Sequence, residues 1–207
     1  MIYPDNKYIK EISQLIKSLL SFCKYEIEIK KNEISLFCIK DDLNKILLFL
    51  KDNPSICMES LIDITAVDYP ENSSRFLVVY NLLSISKNFR LKVKLRLAED
   101  EIINSISDIY SCANWYEREL WDLFGIKFKG HPDLRRILTD YDFQGHPLRK
   151  DFPLSGFTQV KYDNELSRVV VEPVKLDQEY RNFENISPWE GMGKYLPGDE
   201  KSNQKDD

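Results

Sequence analysis

The sequence predicts an α+β fold: an N-terminal helix and hairpin, an antiparallel mixed sheet with flanking helices, and a long extended C-terminal segment. Three observations predict it. Apolar residues recur at helical spacing near the N-terminus. They alternate one by one with polar residues over several stretches between residues 25 and 97. Periodicity then fades from about residue 173. Residues 1–125 are expected to form the compact α+β domain. Residues 126–207 are expected to be a charge-rich joint followed by an extended, partner-contacting segment with a solvated tail.

Residues 6–23 place Ile9, Ile12, Ile16, Leu19, Leu20 and Cys23 on one helical face, with Asp5 or Asn6 as cap. Tyr25, Ile27 and Ile29 alternate with Glu26, Glu28 and Lys30, which predicts a strand. Lys31-Asn32 turns the chain into a second strand through Ile34, Leu36 and Cys38. Asp41 is positioned to cap a short helix that Asn53-Pro54 stops. Residues 60–68 read as a mostly buried strand, 69–74 as a turn and 75–86 as a long strand. In 89–97, Phe89, Leu91, Val93, Leu95 and Leu97 alternate with Arg90, Lys92, Lys94 and Arg96. One face of that strand is core and the other uniformly basic. The basic face suits an acidic partner, but the preferred reading is a solvated face that also blunts an edge strand. Helix 99–110 should follow, with Ile102, Ile103, Ile106 and Ile109 inward. A helix over 114–124, capped by Ser111 or Asn114, should end at Gly125. A short helix near 134–138 and a last strand at 168–171 complete the expectation.

Composition narrows the class. The chain has 207 residues, is 43% hydrophobic and 30% charged, and carries a net charge of −5. That is ordinary for a globular protein and wrong for a nucleic-acid surface. No run of about 18 apolar residues is present, so no membrane span is expected. The start has neither a signal-peptide core nor a transit-peptide character. Cys23, Cys38, Cys57 and Cys112 form no CxxC and sit apart from the histidines, so buried free thiols are expected rather than metal ligation. Only three alanines occur, beside abundant Ile, Lys, Asn and Asp. This bias is typical of an AT-rich genome.

Chemistry-bearing residues concentrate in Glu117–Gly156. From Glu117 to Asp151 there are seven acids and seven bases, and both histidines, His131 and His146, lie within. A neutral mixture suits ion pairs inside a protein or across an interface better than a phosphate site. The candidates are Glu117, Arg118, Glu119, Asp122, His131, Arg135, Arg136, His146, Arg149 and Asp151. Glu117 and Glu119 cannot share a helix face, so one of them, with Arg118, should join a buried ion pair with Arg135, Arg136 or Arg149. Each histidine stands in a Gly-His-Pro turn and lacks HxH or HExxH spacing. A metal-dependent hydrolase built on His131, His146 and nearby aspartates is the rival reading. No phosphate-binding glycine loop or nucleophile motif is present.

The pattern Glu117-Arg118-Glu119, Asp122-Leu123-Phe124, His131, Arg135 and Ile137-Leu138 resembles the signature of the thirty-kilodalton subunit of respiratory NADH dehydrogenase (complex I). That family is also called subunit 9 where mitochondria encode it. GHPLRKDFPLSG at 145–156 is similar to its second block, and the layout of most of the chain is similar as well. The resemblance implies a non-catalytic core subunit of the peripheral arm that scaffolds the quinone-reducing module. It implies no catalytic residue, cofactor or metal in this chain; FMN, Fe–S clusters and ubiquinone would be bound by other subunits. It further implies packing on the large hydrogenase-like quinone-site subunit, with contact to the membrane only through the complex. A mitochondrial inner-membrane location on the matrix side is expected. The cytoplasmic face of a bacterial inner membrane and a plastid-type plastoquinone dehydrogenase are the alternatives.

Overall fold

The computed structural model describes residues 6–21, 23–31 and 33–176. The chain divides into two compact units, Met1–Phe157 and Thr158–Asp207. The part of the extended segment beyond 176 and its expected solvated tail lie outside the described residues.

The first unit is built on a five-stranded sheet. Its strands are β1 (Tyr25–Lys30), β2 (Glu33–Cys38), β3 (Ser60–Asp68), β4 (Phe76–Ser84) and β5 (Phe89–Leu97), in the order β1-β2-β5-β4-β3. Helix α1 (Asn6–Leu19) precedes the sheet, α2 (Leu43–Asp52) links β2 to β3, and α3 (Ala113–Phe124) follows. Two short parallel strands, β6 (Ile102–Asn104) and β7 (Lys127–Lys129), flank α3 in sequence. All neighbours in the large sheet are antiparallel except β2 and β5, which run parallel. The sheet is therefore mixed, as the fold class anticipated. Among the described residues no helix is long and apolar enough to cross a membrane.

Alternation puts Phe89, Leu91, Val93, Leu95 and Leu97 on the inner face, in one core with Ile9, Ile12 and Ile16 of α1, Ile46 and Leu50 of α2, and Leu120 and Phe124 of α3. All three helices bury their apolar stripes against this face. The hairpin β1–β2 turns at Lys31, whose backbone lies in the left-handed region at φ +48°.

Several local expectations are corrected. The helix from residue 6 ends at Leu19, short of Cys23. The cap of α2 is Asp42, not Asp41, and it makes no side-chain cap bond. β3 is an edge strand rather than a mostly buried one: Leu61, Ile64 and Ala66 point inward, while Ile62, Thr65 and Val67 are exposed. β5 is an interior strand, so its basic face blunts no edge. Helix 99–110 does not form. The N–H of Ser105 goes to the carbonyl of Lys129, and the N–H of Ile106 goes to the Glu117 carboxylate. With its donors committed elsewhere, the segment keeps strand β6 and one turn, and Ile102 faces outward. The cap of α3 is Cys112, one residue after Ser111, which leaves Asn114 inside the helix.

The second unit contains a hairpin of β8 (Thr158–Asp163) and β9 (Arg168–Pro173), antiparallel with Val160 opposite Val171 and Tyr162 opposite Val169. Only β9 was expected. β8 carries Thr, Gln, Lys and Asp and so hides its alternation. The Asp163 carboxylate accepts the N–H groups of Glu165 and Leu166 and shapes the turn.

The alternation along β5 has a direct test by chemical denaturation. Leu91→Ala should cost about 2–5 kcal/mol. Its neighbour Arg90→Ala should stay within about 0.5 kcal/mol of wild type.

Candidate functional site

Helix α3 ends because Gly125 adopts φ +79° and its N–H returns to the carbonyl of Trp121. Any side chain there would also collide. A Cβ would lie 2.6 Å from Arg149 Nη2 and 2.7 Å from the His146 ring. Helix ends leave the last carbonyls without intrahelical donors. Here each of the last four is met. Beyond Gly125 on Trp121, Arg136 Nη1 (3.1 Å) and His146 Nδ1 (2.9 Å) reach the Asp122 carbonyl. Leu148 N–H donates to Leu123 (3.0 Å) and Arg149 Nε to Phe124 (2.6 Å). Residues 136–149 are thus wrapped onto the end of one helix, and two of the donors are cations at its negative pole.

Asp122 fixes the wrap. Its Oδ2 accepts the successive N–H groups of Ile137 (3.0 Å), Leu138 (2.8 Å) and Thr139 (3.0 Å). Its Oδ1 accepts from Arg136 Nη1 (2.8 Å) and from the Thr139 hydroxyl. Burial opposes the charge, yet the Arg136, Thr139 and backbone bonds win and hold this carboxyl well below the usual carboxylate range. Arg136 also donates to the carbonyls of Phe143 (2.7 Å) and Gly145 (3.0 Å) and stacks against Trp121 and Phe143. These bonds replace the short helix expected near 134–138, because the N–H groups that would close its turns point at Asp122 instead.

A second ion cluster ties the wrap to the sheet. Arg75 grips Asp68 through Nε (2.8 Å) and Nη2 (3.0 Å), and reaches Glu99 (3.1 Å) and Asp151 (2.8 Å). Arg149 reaches Glu99 (2.6 Å), and Lys150 N–H donates to Asp68 (2.7 Å). The Arg75 and Arg149 guanidiniums both lie over the ring of Phe76, which meets Phe124 edge to face. The bond from Arg75 lowers the Asp68 pKa against the cost of burial, and likewise that of Asp151.

Glu117 is the reverse case. It is not in the first turn of α3 but at the middle of the helix, fully buried. It accepts from Ile106 N–H (2.7 Å) and the Ser105 hydroxyl (2.6 Å). Burial outweighs those bonds and pushes its pKa up to about 7. The expected pairing with an arginine is replaced by His131, whose Nε2 lies 3.9 Å away. That nitrogen hydrogen-bonds the Asn114 carbonyl (3.0 Å), while Nδ1 accepts from Asp133 N–H (3.1 Å). Arg118 joins no carboxylate among the described residues. It donates to the carbonyls of Arg135 and Arg136 and stacks on Trp115. Arg135 points outward and pairs with Asp133 at the surface. Glu119 is half-buried, its pKa raised by burial and by Asp63.

The two imidazoles bond carbonyls at opposite ends of α3, Asn114 and Asp122. At 1.5 Å of rise per residue these lie roughly 12 Å apart along the axis. The rings do not converge on a common ion, which removes the metal-hydrolase arrangement of His131 with His146. Burial lowers the pKa of His146 and favours the neutral ring. Sequence reasoning missed Asp68, Arg75, Glu99 and Ser105, which lie upstream of the charged stretch and complete its pairs. An arginine directly preceding an apolar strand, with an acid closing the strand before it, was the available signal.

The wrap turns Asp122, Arg136, His146 and Arg149 inward and leaves several apolar side chains outside. Tyr141 is 81% exposed and Leu154 91%, with Leu138, Leu148 and Phe157 also exposed. Asp133, Arg135, Asp140, Asp142 and Lys150 are exposed around these apolar side chains, an apolar patch with a charged rim of the kind a protein partner covers.

Comparison with known proteins gives consistent matches. The family model for "Respiratory-chain NADH dehydrogenase, 30 Kd subunit" matches residues 36–158. An NADH-quinone oxidoreductase subunit from Azorhizobium caulinodans is 48% identical over 197 residues, covering 95% of this chain and 93% of the relative. The same subunit from Methylobacterium radiotolerans is 52% identical over 170 residues, covering 82% of this chain and 79% of its own. Among solved structures, a chain of the membrane-bound sulfane sulfur reductase, an archaeal respiratory membrane complex, superposes with a TM-score of 0.58. It is 26% identical and covers 70% of this chain and 85% of that one.

Two outcomes follow for the site. Asp122→Asn should destabilise the fold by about 3–5 kcal/mol, since it leaves Arg136 without its counter-charge. Amide exchange at 137–139 should accelerate with it. For Glu117, the folded pKa lies above the ordinary carboxylate value, so its contribution to stability is full at low pH and is lost as pH rises toward 7. Unfolding curves of Glu117→Gln and wild type should therefore diverge between about pH 4.5 and 7, the variant gaining up to about 1.4 kcal/mol per pH unit. Parallel curves would show that Glu117 titrates normally.

Proposed function

Because the chain belongs to the 30 kDa subunit family of the respiratory-chain NADH dehydrogenase, we infer that it is a peripheral-arm subunit of complex I, NADH:quinone oxidoreductase. Its part in NADH-to-ubiquinone electron transfer coupled to proton pumping is to scaffold the quinone-reducing module. The observation that carries this reading is the orientation of Glu117–Gly156. Asp122, Arg136 and Arg149 are used up on the end of α3 and the sheet corner, while Tyr141, Leu154 and their neighbours face outward with no cover among the described residues. A surface of this kind suits permanent contact with another subunit.

The partners are other complex I subunits, and the large hydrogenase-like subunit that lines the quinone site is the proposed occupant of the exposed apolar loop. FMN, Fe–S clusters and ubiquinone are assigned to other subunits. Of the four cysteines expected as buried free thiols, only Cys38 is buried, its thiol pushed up to about 12 by burial; Cys23 and Cys57 are half-buried and Cys112 is exposed. The chain is held at a membrane through the complex. The AT-type composition supports the matrix side of a mitochondrial inner membrane, whereas the bacterial origin of the relatives supports the cytoplasmic face of a bacterial one.

The experiment is complementation with Tyr141→Asp combined with Leu154→Asp. The isolated variant should keep its stability within about 0.5 kcal/mol, as exposed positions do. It should fail to co-purify with the other subunits, and membrane NADH:ubiquinone reductase activity should fall with it. Normal assembly and activity of the double variant would refute this use of the loop.

A further inference from the structure

The face of the five-stranded sheet opposite the helices carries an arrangement that the α3 wrap does not use. On β5, Arg90, Lys92, Lys94 and Arg96 point to that face. Because β5 is interior, the row runs down the middle of the sheet and does not guard an edge. Alternate residues of a strand stand about 6–7 Å apart, so the row spans roughly 20 Å. Its internal neutralisation is partial. Lys92 pairs with Glu33, and Lys94 lies 5.1 Å from the Phe37 ring centroid with Glu28 nearby. Arg90 and Arg96 are exposed and have no acidic partner among the described residues.

The strand pairing places apolar residues alongside. Leu77 lies opposite Arg96, buried Val79 opposite Lys94, Asn81 opposite Lys92 and Leu83 opposite Arg90, and exposed Val67 of β3 follows Leu77 on the same face. A cationic row beside an apolar strip, on a rigid sheet, is an interface surface rather than a solvated one. On the other side, Glu26 and Glu28 of β1 occupy the same face, each opposite a β2 residue in register with the row. Anionic lipid would meet those acids along with the bases. A protein segment with its own charge pattern can match both.

We propose that this sheet face docks an acidic segment of a neighbouring subunit, its carboxylates set against Arg90, Lys92, Lys94 and Arg96 and its apolar side chains against Leu77 and Leu83. The inference rests on the chain being a subunit of complex I and adds a second contact surface, distinct in residues from the apolar loop.

The test is zero-length carbodiimide coupling of the intact purified complex, read by mass spectrometry. The reagent joins lysine amines only to carboxylates in contact. Lys92 and Lys94 should couple to Asp or Glu of another subunit, with Lys92–Glu33 as the internal control. Those interchain links should be lost in an Arg90→Glu, Arg96→Glu double variant while the internal one persists. Interchain links missing from a wild-type complex that contains this chain would overturn the docking proposal alone. Protection of the lysines only when anionic phospholipid vesicles are added would overturn it in favour of lipid. A wild-type chain found outside any NADH dehydrogenase complex would overturn the family-based function and this inference together.

Discussion

The structure depends on the unsatisfied end of one helix. Four carbonyls at the C-terminus of α3 and the carboxylate of Asp122 together ask for donors, and the following thirty or so residues are arranged to supply them. A buried carbonyl without a partner costs about 1–3 kcal/mol, so this end could not be left bare under a loop. Arg136, His146 and Arg149 read from sequence as ion-pair or interface candidates, and each spends a nitrogen on a helix carbonyl. Gly125 is needed because the same helix end must turn into the left-handed region while two of those side chains close over it.

Two acids five residues apart on α3 show how environment decides protonation. Glu117 is fully buried and offered two neutral donors, so burial dominates and its proton is held to near neutrality. Asp122 is as buried, but a guanidinium, a hydroxyl and three backbone N–H groups converge on it, and its charge is secure. The helix thus has a nearly neutral middle facing β6 and β7 and a charged terminus facing the wrap.

Most of the sheet was legible because period-two alternation is a direct imprint of burial. The ranges of β1, β2, β3 and β5 agree with the sequence reading to within a residue. What failed was local structure decided by distant partners. Residues 102–109 have helix-spaced isoleucines, but Lys129 and Glu117 take the N–H groups of Ser105 and Ile106. Residues 134–138 lose their expected turn to Asp122. In the site, the charge-rich stretch was visible as a joint, yet its counter-ions Asp68, Arg75 and Glu99 lie far upstream, and no local spacing links Arg75 to Asp151. Arg135, by contrast, contributes to the site through its backbone carbonyl, a role that no side-chain pattern can announce.

The parallel pairing of β2 with β5 has a consequence for how the chain is made. The hairpin β1–β2 is complete early in synthesis, but its neighbour in the sheet is separated from it by α2, β3 and β4. Closing so long a loop is entropically slow, and non-local strand contacts of this sort lower folding rates. Until β5 leaves the ribosome, Ile34 and Leu36 are paired with β1 on one side only, and the other edge of β2 is free and apolar. The nascent chain therefore has an interval in which its N-terminal hairpin is open to edge-on pairing, and a chaperone acting there would shield β2 rather than the charged segment that finishes the fold.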